Sequence, residues 1–382
     1  MRPGSPERPT ASESEGMDRQ HLNLPAAQVS LLHAVAAANP RVVVVLSAGS
    51  VVDLSWSHLA PGILHSYLSG QAGAEGVVDV LTGAANPSGK LAETSPHALG
   101  DTPTHDRFPA DTRHAMYREG PFVGYRFYEA AGRPVKHPFG FGLSYTTFGY
   151  SGLELDADGA RFTLTNTGPV AGAEVAQLYV SLPGSAVLRP EQELKGFAKV
   201  VLEPGESRQV TIPFDRYTWR HYDVDAGAWR TEGGTWEVRI GASSADIRLT
   251  GEMVVDGERM ESPYDVATMR AALLRGADDT EFATLLGRPV PRESTGEQLT
   301  AADPLRELER ARSPLARLAI GRLSPPSVSG GRSVAIDADG SAIRVHRSCG
   351  LADLSATMPI DPPLGFPSTS GRADAAPSSL PL

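Results

Sequence analysis

Residues 25–50, PAAQVSLLHAVAAANPRVVVVLSAGS, combine a helical pattern with a buried strand pattern. In the first half, apolar residues recur at helical spacing, namely at Val29, Leu32, Val35 and Ala36. The Asn39-Pro40 pair ends the predicted helix, because a residue before proline avoids the helical region. The following run, VVVVL at 42–46, is continuous and β-branched, which is typical of a strand buried on both faces.

The next segment again contains helical patterns, with a possible strand between them. Residues 56–68 indicate a helix or a helix plus a strand, and residues 73–81 indicate a helix that ends at Gly83. Helix, buried strand and helix in succession favour a parallel α/β layer structure. Three single histidines fall on the predicted helices, where such a side chain is more often packed or solvated than catalytic: His33, His58 and His65.

The pattern changes near Phe148, where apolar and polar residues begin to alternate. Two clear runs are 161–165 and 175–180, and turn residues such as Pro204-Gly205 separate them. Short strands with regular turns over roughly 100 residues predict a β-sandwich of the immunoglobulin or fibronectin type. Its expected inward-facing residues are Phe162, Leu164, Val175, Leu178, Val180, Trp236 and Val238.

The two ends of the chain differ from this middle part. Residues 1–12 contain little that can be buried, and we expect them to be disordered. Residues 256–322 return to helical spacing, for example at Met269 and Leu273. Residues 323–382 are rich in Ser, Pro and Gly and are predicted to be mostly disordered, with one hairpin around Asp339-Gly340.

Composition excludes several classes of protein. The formal net charge of -10, without a long basic run, argues against a nucleic-acid partner. One cysteine, Cys349, cannot build a disulfide framework or a cysteine-based zinc site. No apolar run is long enough to span a membrane, and the first residues lack the apolar core of a signal peptide. The default expectation is a cytoplasmic protein without a membrane partner.

Residues 13–19, ESEGMDR, are the main candidate for chemistry. Three acidic residues and an arginine surround a glycine, which permits unusual backbone angles. The residues alone leave two interpretations open. The segment is either a solvated charged stretch or a loop that presents a carboxylic acid for proton transfer.

Two glycine-containing motifs have structural interpretations. NPSGKL at 86–91 reads as a turn between α/β elements, and HPFGFGLSY at 137–145 reads as a bend before a strand. The second motif lacks the third glycine and the following helix of a phosphate-binding loop. The sequence has no G-x-S-x-G nucleophile elbow and no histidine pair with metal-ligand spacing, so neither a serine hydrolase nor a metal cofactor is indicated.

Several long stretches resemble family 3 glycoside hydrolases of the β-glucosidase type, in collinear order over about residues 13–250. Residues 14–56 and 70–94 resemble the family's α/β sandwich domain, and residues 117–148 resemble the exit from that domain. Residues 166–207 and 233–244 resemble the family's fibronectin III-like domain. The resemblance therefore implies an α/β sandwich domain at 13–147 and a fibronectin III-like β-sandwich at 148–255. The helical spacing adds a helical extension at 256–322.

The resemblance also implies a chemistry. It implies hydrolysis of terminal β-glycosidic bonds with retention of configuration, and it implies no cofactor. The acid/base glutamate of such enzymes lies in a loop similar to S-E-G-x-D-R, which places the general acid/base at Glu15 and assigns Asp18 and Arg19 to holding the loop. The expected substrate is a β-glucoside or a related oligosaccharide.

The nucleophile of these enzymes is an aspartate in a Ser-Asp-Trp motif on a barrel domain, and that motif does not occur in residues 1–382. We therefore expect a truncated, C-terminal part of such an enzyme, with a separate barrel domain or chain as its partner. The alternative is a catalytically silent remnant that acts as a structural or weak sugar-binding module.

Overall fold

The structure is a computed structural model that describes residue 19 and residues 21–108 and 114–291, together with the backbone of three strands at 332–336, 342–347 and 354–359. The chain divides into two compact units, residues 1–295 and 296–382. The first unit contains an α/β layer, a β-sandwich and a helical pair. Among the described residues, no helix is both long and apolar enough to cross a membrane.

The α/β layer contains two helices, two strands and a 3-10 helix: α1 (Ala26–Ala38), β1 (Val43–Leu46), the 3-10 helix Ser55–Leu59, β2 (Gly62–His65) and α2 (Gly73–Thr82). β1 and β2 pair in parallel, from Val43 opposite Gly62 to Leu46 opposite His65. α2 ends where Gly83 adopts the left-handed conformation, with φ of +79°, that glycine tolerates well. The parallel α/β prediction is confirmed, although His65 ends a strand instead of lying on a helix.

The expectation that β1 is buried on both faces is wrong. Val44 and Leu46 pack into a core with Val52 and Trp56. Val43 is 57% exposed and Val45 is 43% exposed on the other side of the same strand. The reason is that successive side chains of a strand point to opposite faces, and no described element covers the second face. Val43 and Val45 are called the open face of β1 below.

A loop-rich segment, residues 83–108 and 114–147, leads from this layer to the sandwich and contains α3 (Tyr125–Ala130). It is called the exit segment below. It joins the two glycine-containing motifs, since the Leu91 amide donates to the Phe141 carbonyl at 2.8 Å and the Gly140 amide donates to the Leu91 carbonyl at 2.7 Å. Lys90 adds a salt bridge of 2.8 Å to Glu174 in the sandwich. Both motifs are therefore structural, as predicted, and they link the two domains.

The β-sandwich consists of two antiparallel sheets and a small hairpin. One sheet has the order β3-β4-β7 and the other β11-β10-β5-β6. The strands are β3 (Phe148–Leu155), β4 (Gly159–Asn166), β5 (Gly172–Ser181), β6 (Glu193–Leu202), β7 (Ser207–Pro213), β10 (Gly234–Ser243) and β11 (Asp246–Val255), with the hairpin β8 (Arg220–Asp223) and β9 (Ala228–Thr231). Six of the seven predicted core residues lie in the buried cluster between the sheets: Phe162, Leu164, Leu178, Val180, Trp236 and Val238.

The seventh predicted core residue, Val175, is wrong. Leu178 and Val180 face the core, so Val175 lies on the opposite face of β5 by the period of two. That opposite face is itself covered further along the strand. Gln177 donates through Nε2 to the Gly140 carbonyl at 3.1 Å, and a Cβ on Gly140 would lie 2.0 Å from Gln177 Oε1. Only glycine permits this close approach between the exit segment and β5.

Two helices follow the sandwich, α4 (Val266–Arg275) and α5 (Asp279–Leu286). Both begin at an aspartate that accepts hydrogen bonds from free backbone amides, Asp265 for α4 and Asp278 for α5. Their apolar side chains share a core with the exit segment, including Phe122, Phe127, Met269, Leu273 and Phe282. The predicted helical extension thus folds back onto the chain, and its expected continuation over 292–322 lies outside the described residues.

The second unit contains three described strands, β12 (Arg332–Ile336), β13 (Ala342–Arg347) and β14 (Leu354–Pro359), in one antiparallel sheet. β12 and β13 flank Asp339-Gly340, so the two strands of the predicted hairpin are confirmed. The third strand, β14, was not predicted, and it pairs with β13. Elsewhere in the tail, and at residues 1–12, the expectation of disorder lies outside the described residues.

Candidate functional site

The carboxyl ends of β1 and β2 form the edge where parallel α/β sheets place their ligand-binding loops. The loops that leave this edge are tied to each other. Ser47 donates through Oγ to the Tyr67 carbonyl at 3.0 Å, and Ser66 donates its backbone N–H to the Leu46 carbonyl at 2.9 Å. The two loops therefore form one surface, which is called the carboxyl edge below.

Arg19 connects the acidic loop to this edge. Its guanidinium Nη2 donates to Ser50 Oγ at 2.6 Å and to the Val51 carbonyl at 2.7 Å. Glu15 and Asp18 lie outside the described residues. In the sequence, Glu15 stands four positions before Arg19. Arg19 therefore attaches its own end of the acidic segment to the carboxyl edge.

Tyr67 occupies an unusual position on the edge. Its φ of +49° lies in the left-handed region, which costs energy for a bulky residue. Its ring stacks on His65 with centroids 3.9 Å apart. Burial, followed by the nearby charge of Glu93, raises the pKa of Tyr67 to about 12, so its hydroxyl stays protonated at neutral pH. Among the described residues, the buried His65 Nε2 has no hydrogen-bond partner.

A cleft of about 460 Å³ adjoins the edge through Glu93. Its lining combines aromatic rings with polar groups and includes Glu93, Thr94, Tyr125, Arg126, Tyr128 and Phe139. Thr94 Oγ1 and Arg126 Nε are buried there without a hydrogen-bond partner among the described residues. Burial, with a smaller contribution from Asp101, raises the pKa of Tyr128 to about 12. Rings with unpaired donors suit a ligand rich in hydroxyl groups.

Sequence reasoning did not identify Tyr67, Glu93 or the cleft. His65 was assigned to a helix, which concealed the strand end that positions the residues after it. The available signal was the polar run His65-Ser66-Tyr67 directly after a short apolar strand pattern. Glu93 and Tyr125 are distant in sequence, so only the tertiary fold brings them to one cleft.

Comparison with family models decides the relationship. Residues 5–145 match the glycosyl hydrolase family 3 C-terminal domain, and residues 174–244 match the fibronectin type III-like domain. The chain belongs to glycoside hydrolase family 3. The two matched regions correspond to the α/β layer with its exit segment and to the β-sandwich. The family and the fold expected from the sequence are confirmed.

Family 3 relatives with different sugars resemble this chain. It is 45% identical to an exo-α-(1→6)-L-arabinopyranosidase of Bifidobacterium breve over 67% of this chain and 34% of that protein. It is 40% identical to the thermostable β-glucosidase B of Acetivibrio thermocellus over 75% of this chain and 39% of that protein. The chain thus spans little more than a third of the length of these curated relatives.

A solved family 3 structure supports the same assignment. The crystal structure of the Bifidobacterium adolescentis family 3 β-glucosidase aligns with a TM-score of 0.63 and 45% identity. The alignment covers 67% of this chain and 39% of that one. Over the matched part, this chain has the fold of a family 3 β-glucosidase.

Proposed function

We propose that this family 3 chain supplies the general acid/base, Glu15, of a retaining β-glycosidase. The observation that carries the proposal is the family match across the acidic loop, together with the anchoring of Arg19 on the carboxyl edge. Arg19 fixes the end of the loop, and Asp18 is proposed to support it.

Two steps follow from this role. In the first, Glu15 donates its proton to the glycosidic oxygen while a nucleophilic carboxylate attacks the anomeric carbon, so the aglycone leaves as a neutral alcohol. In the second, the Glu15 carboxylate takes a proton from water, and the resulting hydroxide displaces the nucleophile from the sugar. The configuration at the anomeric carbon is retained because it inverts twice.

Glu15 must be protonated for the first step and ionised for the second. Such cycling requires a pKa near the working pH, which a partly dry environment produces. The carboxyl edge offers apolar and aromatic surface for this purpose, including the stacked rings of His65 and Tyr67. The adjoining cleft, with Glu93 and Arg126 in its lining, is proposed to receive the leaving group.

The Ser-Asp-Trp motif does not occur in residues 1–382, so the nucleophile is proposed to come from other residues. We propose that a barrel domain or chain supplies it and packs on the α/β layer. The open face of β1 supports this arrangement, because Val43 and Val45 are exposed side by side on one face of the strand. Apolar side chains clustered on a surface mark interaction sites.

The test uses this chain combined with a family 3 barrel that supplies the nucleophile. Glu15→Gln should lower turnover of phenyl β-glucoside by about 100- to 10,000-fold, the usual contribution of a general acid. Dinitrophenyl β-glucoside should lose much less in the first step, because its leaving group needs little protonation. Azide should then restore turnover by replacing the water that Glu15 activates.

Glu13→Gln is the matched control, since it removes a carboxylate two residues away in the same loop. It should leave both substrates and the azide response unchanged. An unchanged enzyme after Glu15→Gln would refute the assignment of the acid/base. A complex that stays inactive with both Glu13 and Glu15 present would support the catalytically silent alternative.

A further inference from the structure

A second pocket, of about 430 Å³, lies on the β-sandwich beside the hairpin β8–β9. None of its lining residues belongs to the carboxyl edge or the adjoining cleft. It joins an apolar wall with aromatic and charged side chains, including Leu188, Glu193, Lys195, Tyr217, His221 and Trp229. This pocket is called the hairpin pocket.

Exposed aromatic rings dominate its rim. Trp229 is 57% exposed, and Tyr222 meets it edge to face with ring centroids 5.4 Å apart. Tyr217 is also exposed. A large ring left in water loses the stabilisation that burial provides, and aromatic anchors on a surface commonly mark a ligand site. The flat, solvent-exposed face of an indole can pack against the C–H face of a pyranose ring.

Arg220 lies between two of these rings. Its guanidinium carbon is 4.0 Å from the centroid of Tyr217 and 4.1 Å from that of Trp229. Cation–π contacts on both sides hold the plane of the guanidinium in place. Its Nε is buried without a hydrogen-bond partner among the described residues. The Arg220 guanidinium is therefore held in place, and its Nε side has no hydrogen-bonding partner among those residues.

The other cations of the hairpin pocket are paired. Arg189 lies 3.4 Å from Glu232 and 3.7 Å from Glu193, and Lys195 lies 3.3 Å from Glu193. Together with Arg220, these residues make three cations, and the nearby carboxylates are two, Glu193 and Glu232. Among the described side chains, no carboxylate lies within salt-bridge distance of Arg220, so the pocket keeps one unneutralised positive charge. The terminal nitrogens of Arg220 make no hydrogen bond or salt bridge among the described residues, and a guanidinium binds a carboxylate well through such nitrogens.

His221 adds a neutral donor. Arg189 Nη2 lies 3.0 Å from His221 Nδ1 and must donate to it, so the ring proton resides on Nε2. Burial, followed by the charge of Arg189, lowers the pKa of His221 and keeps the ring neutral at pH 7. The pocket therefore offers a carboxylate site, a ring platform, a neutral N–H donor and, at Glu193, an acceptor for hydroxyl groups.

We propose that the hairpin pocket binds a hexuronate unit of an acidic oligosaccharide, with its ring on Trp229 and its carboxylate on Arg220. A dianionic phosphate fits less well, because the pocket has a single uncompensated positive charge and Glu193 also lines it. A neutral sugar would leave Arg220 without a counter-charge. The site does not depend on the proposed catalytic role of Glu15.

The test is ligand-observed NMR and tryptophan fluorescence on the full chain with three small probes. Methyl β-glucuronide carries both ring and carboxylate, methyl β-glucoside carries the ring alone, and acetate carries the carboxylate alone. We expect the glucuronide to bind at least about tenfold more tightly than either of the others, since a charge-assisted hydrogen bond is worth about that factor. Trp229→Ala and Arg220→Gln should each weaken glucuronide binding about tenfold.

Phe197→Ala is the matched control, because Phe197 is an exposed aromatic residue on the same sandwich and does not line the pocket. It and Glu15→Gln should leave glucuronide binding unchanged. Equal affinity for glucuronide and glucoside, or binding that is insensitive to Arg220→Gln, would overturn the proposal. Loss of binding in Glu15→Gln would place the ligand at the carboxyl edge and would also overturn it.

Discussion

The β-sandwich and the α/β layer use the same apolar residue types, yet they bury them differently. In the sandwich, Leu178 and Val238 are completely enclosed between two sheets. In the layer, Leu31 on α1 and Val43 on β1 face outward. A sandwich has two sheets that cover each other's inner faces, whereas a pair of parallel strands needs helices on both faces. Among the described residues, the layer therefore leaves more of its apolar side chains exposed than the sandwich does.

The largest expected effect concerns the sandwich core. Leu178→Ala should destabilise the protein by about 2–5 kcal/mol, since it removes buried methyl groups and leaves a cavity. Leu31→Ala is the same truncation on the exposed side of α1 and should change stability by less than about 0.5 kcal/mol. Urea unfolding followed by tryptophan fluorescence measures both. Equal costs for the two leucines would remove the contrast between the regions.

The second prediction concerns the junction between the regions. Lys90→Met leaves Glu174 buried without its cation, which should cost about 2–3 kcal/mol. Arg208→Met breaks an exposed pair with Glu206 and should cost less than about 0.5 kcal/mol. A Lys90 variant as stable as the Arg208 variant in urea would show that the junction does not depend on this pair.

The sequence predicts the part of this contrast that depends on residues close together in the chain. Helical spacing located α1 and α2, and alternation located most sandwich strands, because both patterns are local. The same reasoning failed at Val43, Val45 and Val175. A run of valines predicts a strand, but it does not reveal which face a distant element covers.

The candidate site was predictable to a smaller extent. The acidic loop was identified from its resemblance to family 3, and the roles expected for Glu15, Asp18 and Arg19 stay predictions. The structure adds that Arg19 donates a hydrogen bond to Ser50. Tyr67 and Glu93 were not identified. The stacking of Arg220 between Tyr217 and Trp229 was not identified either. These groupings arise only when separate loops or strands meet in the folded chain.

A smaller effect is expected where the exit segment meets the sandwich. Burial raises the pKa of Glu129 from 4.5 to about 7, although Gln192 donates to its Oε2 at 3.0 Å. Between these pH values the folded chain retains a proton that the unfolded chain has lost, so stability decreases as pH rises. The loss is on the order of 1–2 kcal/mol, since a pKa unit is worth about 1.4 kcal/mol and the side chain is partly solvated.

Glu129→Gln removes this titration. Relative to the unmodified chain, the variant should gain on the order of 1–2 kcal/mol in unfolding free energy between pH 5 and pH 8. Thermal or urea unfolding at both pH values gives the difference. A difference that does not change with pH would show that Glu129 is ionised in the folded chain throughout this range.

The smallest effect on stability is expected at the open face of β1. Val43→Asp and Val45→Asp should each change the unfolding free energy of this chain alone by less than about 0.5 kcal/mol, because both side chains are already in contact with water. Both variants should nevertheless prevent a barrel partner from packing there. Val254→Asp, at an exposed position on the sandwich, is the control and should leave that packing intact.

The most direct test of the account is hydrolysis of an aryl β-glucoside by this chain, alone and mixed with the part of the Bifidobacterium adolescentis β-glucosidase that it does not match. We predict no hydrolysis above background by either piece, because an acid/base and a nucleophile are both required. Mixing should produce activity that Val45→Asp abolishes and Val254→Asp preserves. Efficient hydrolysis by residues 1–382 alone would contradict the central claim, since the nucleophile would then lie within this chain.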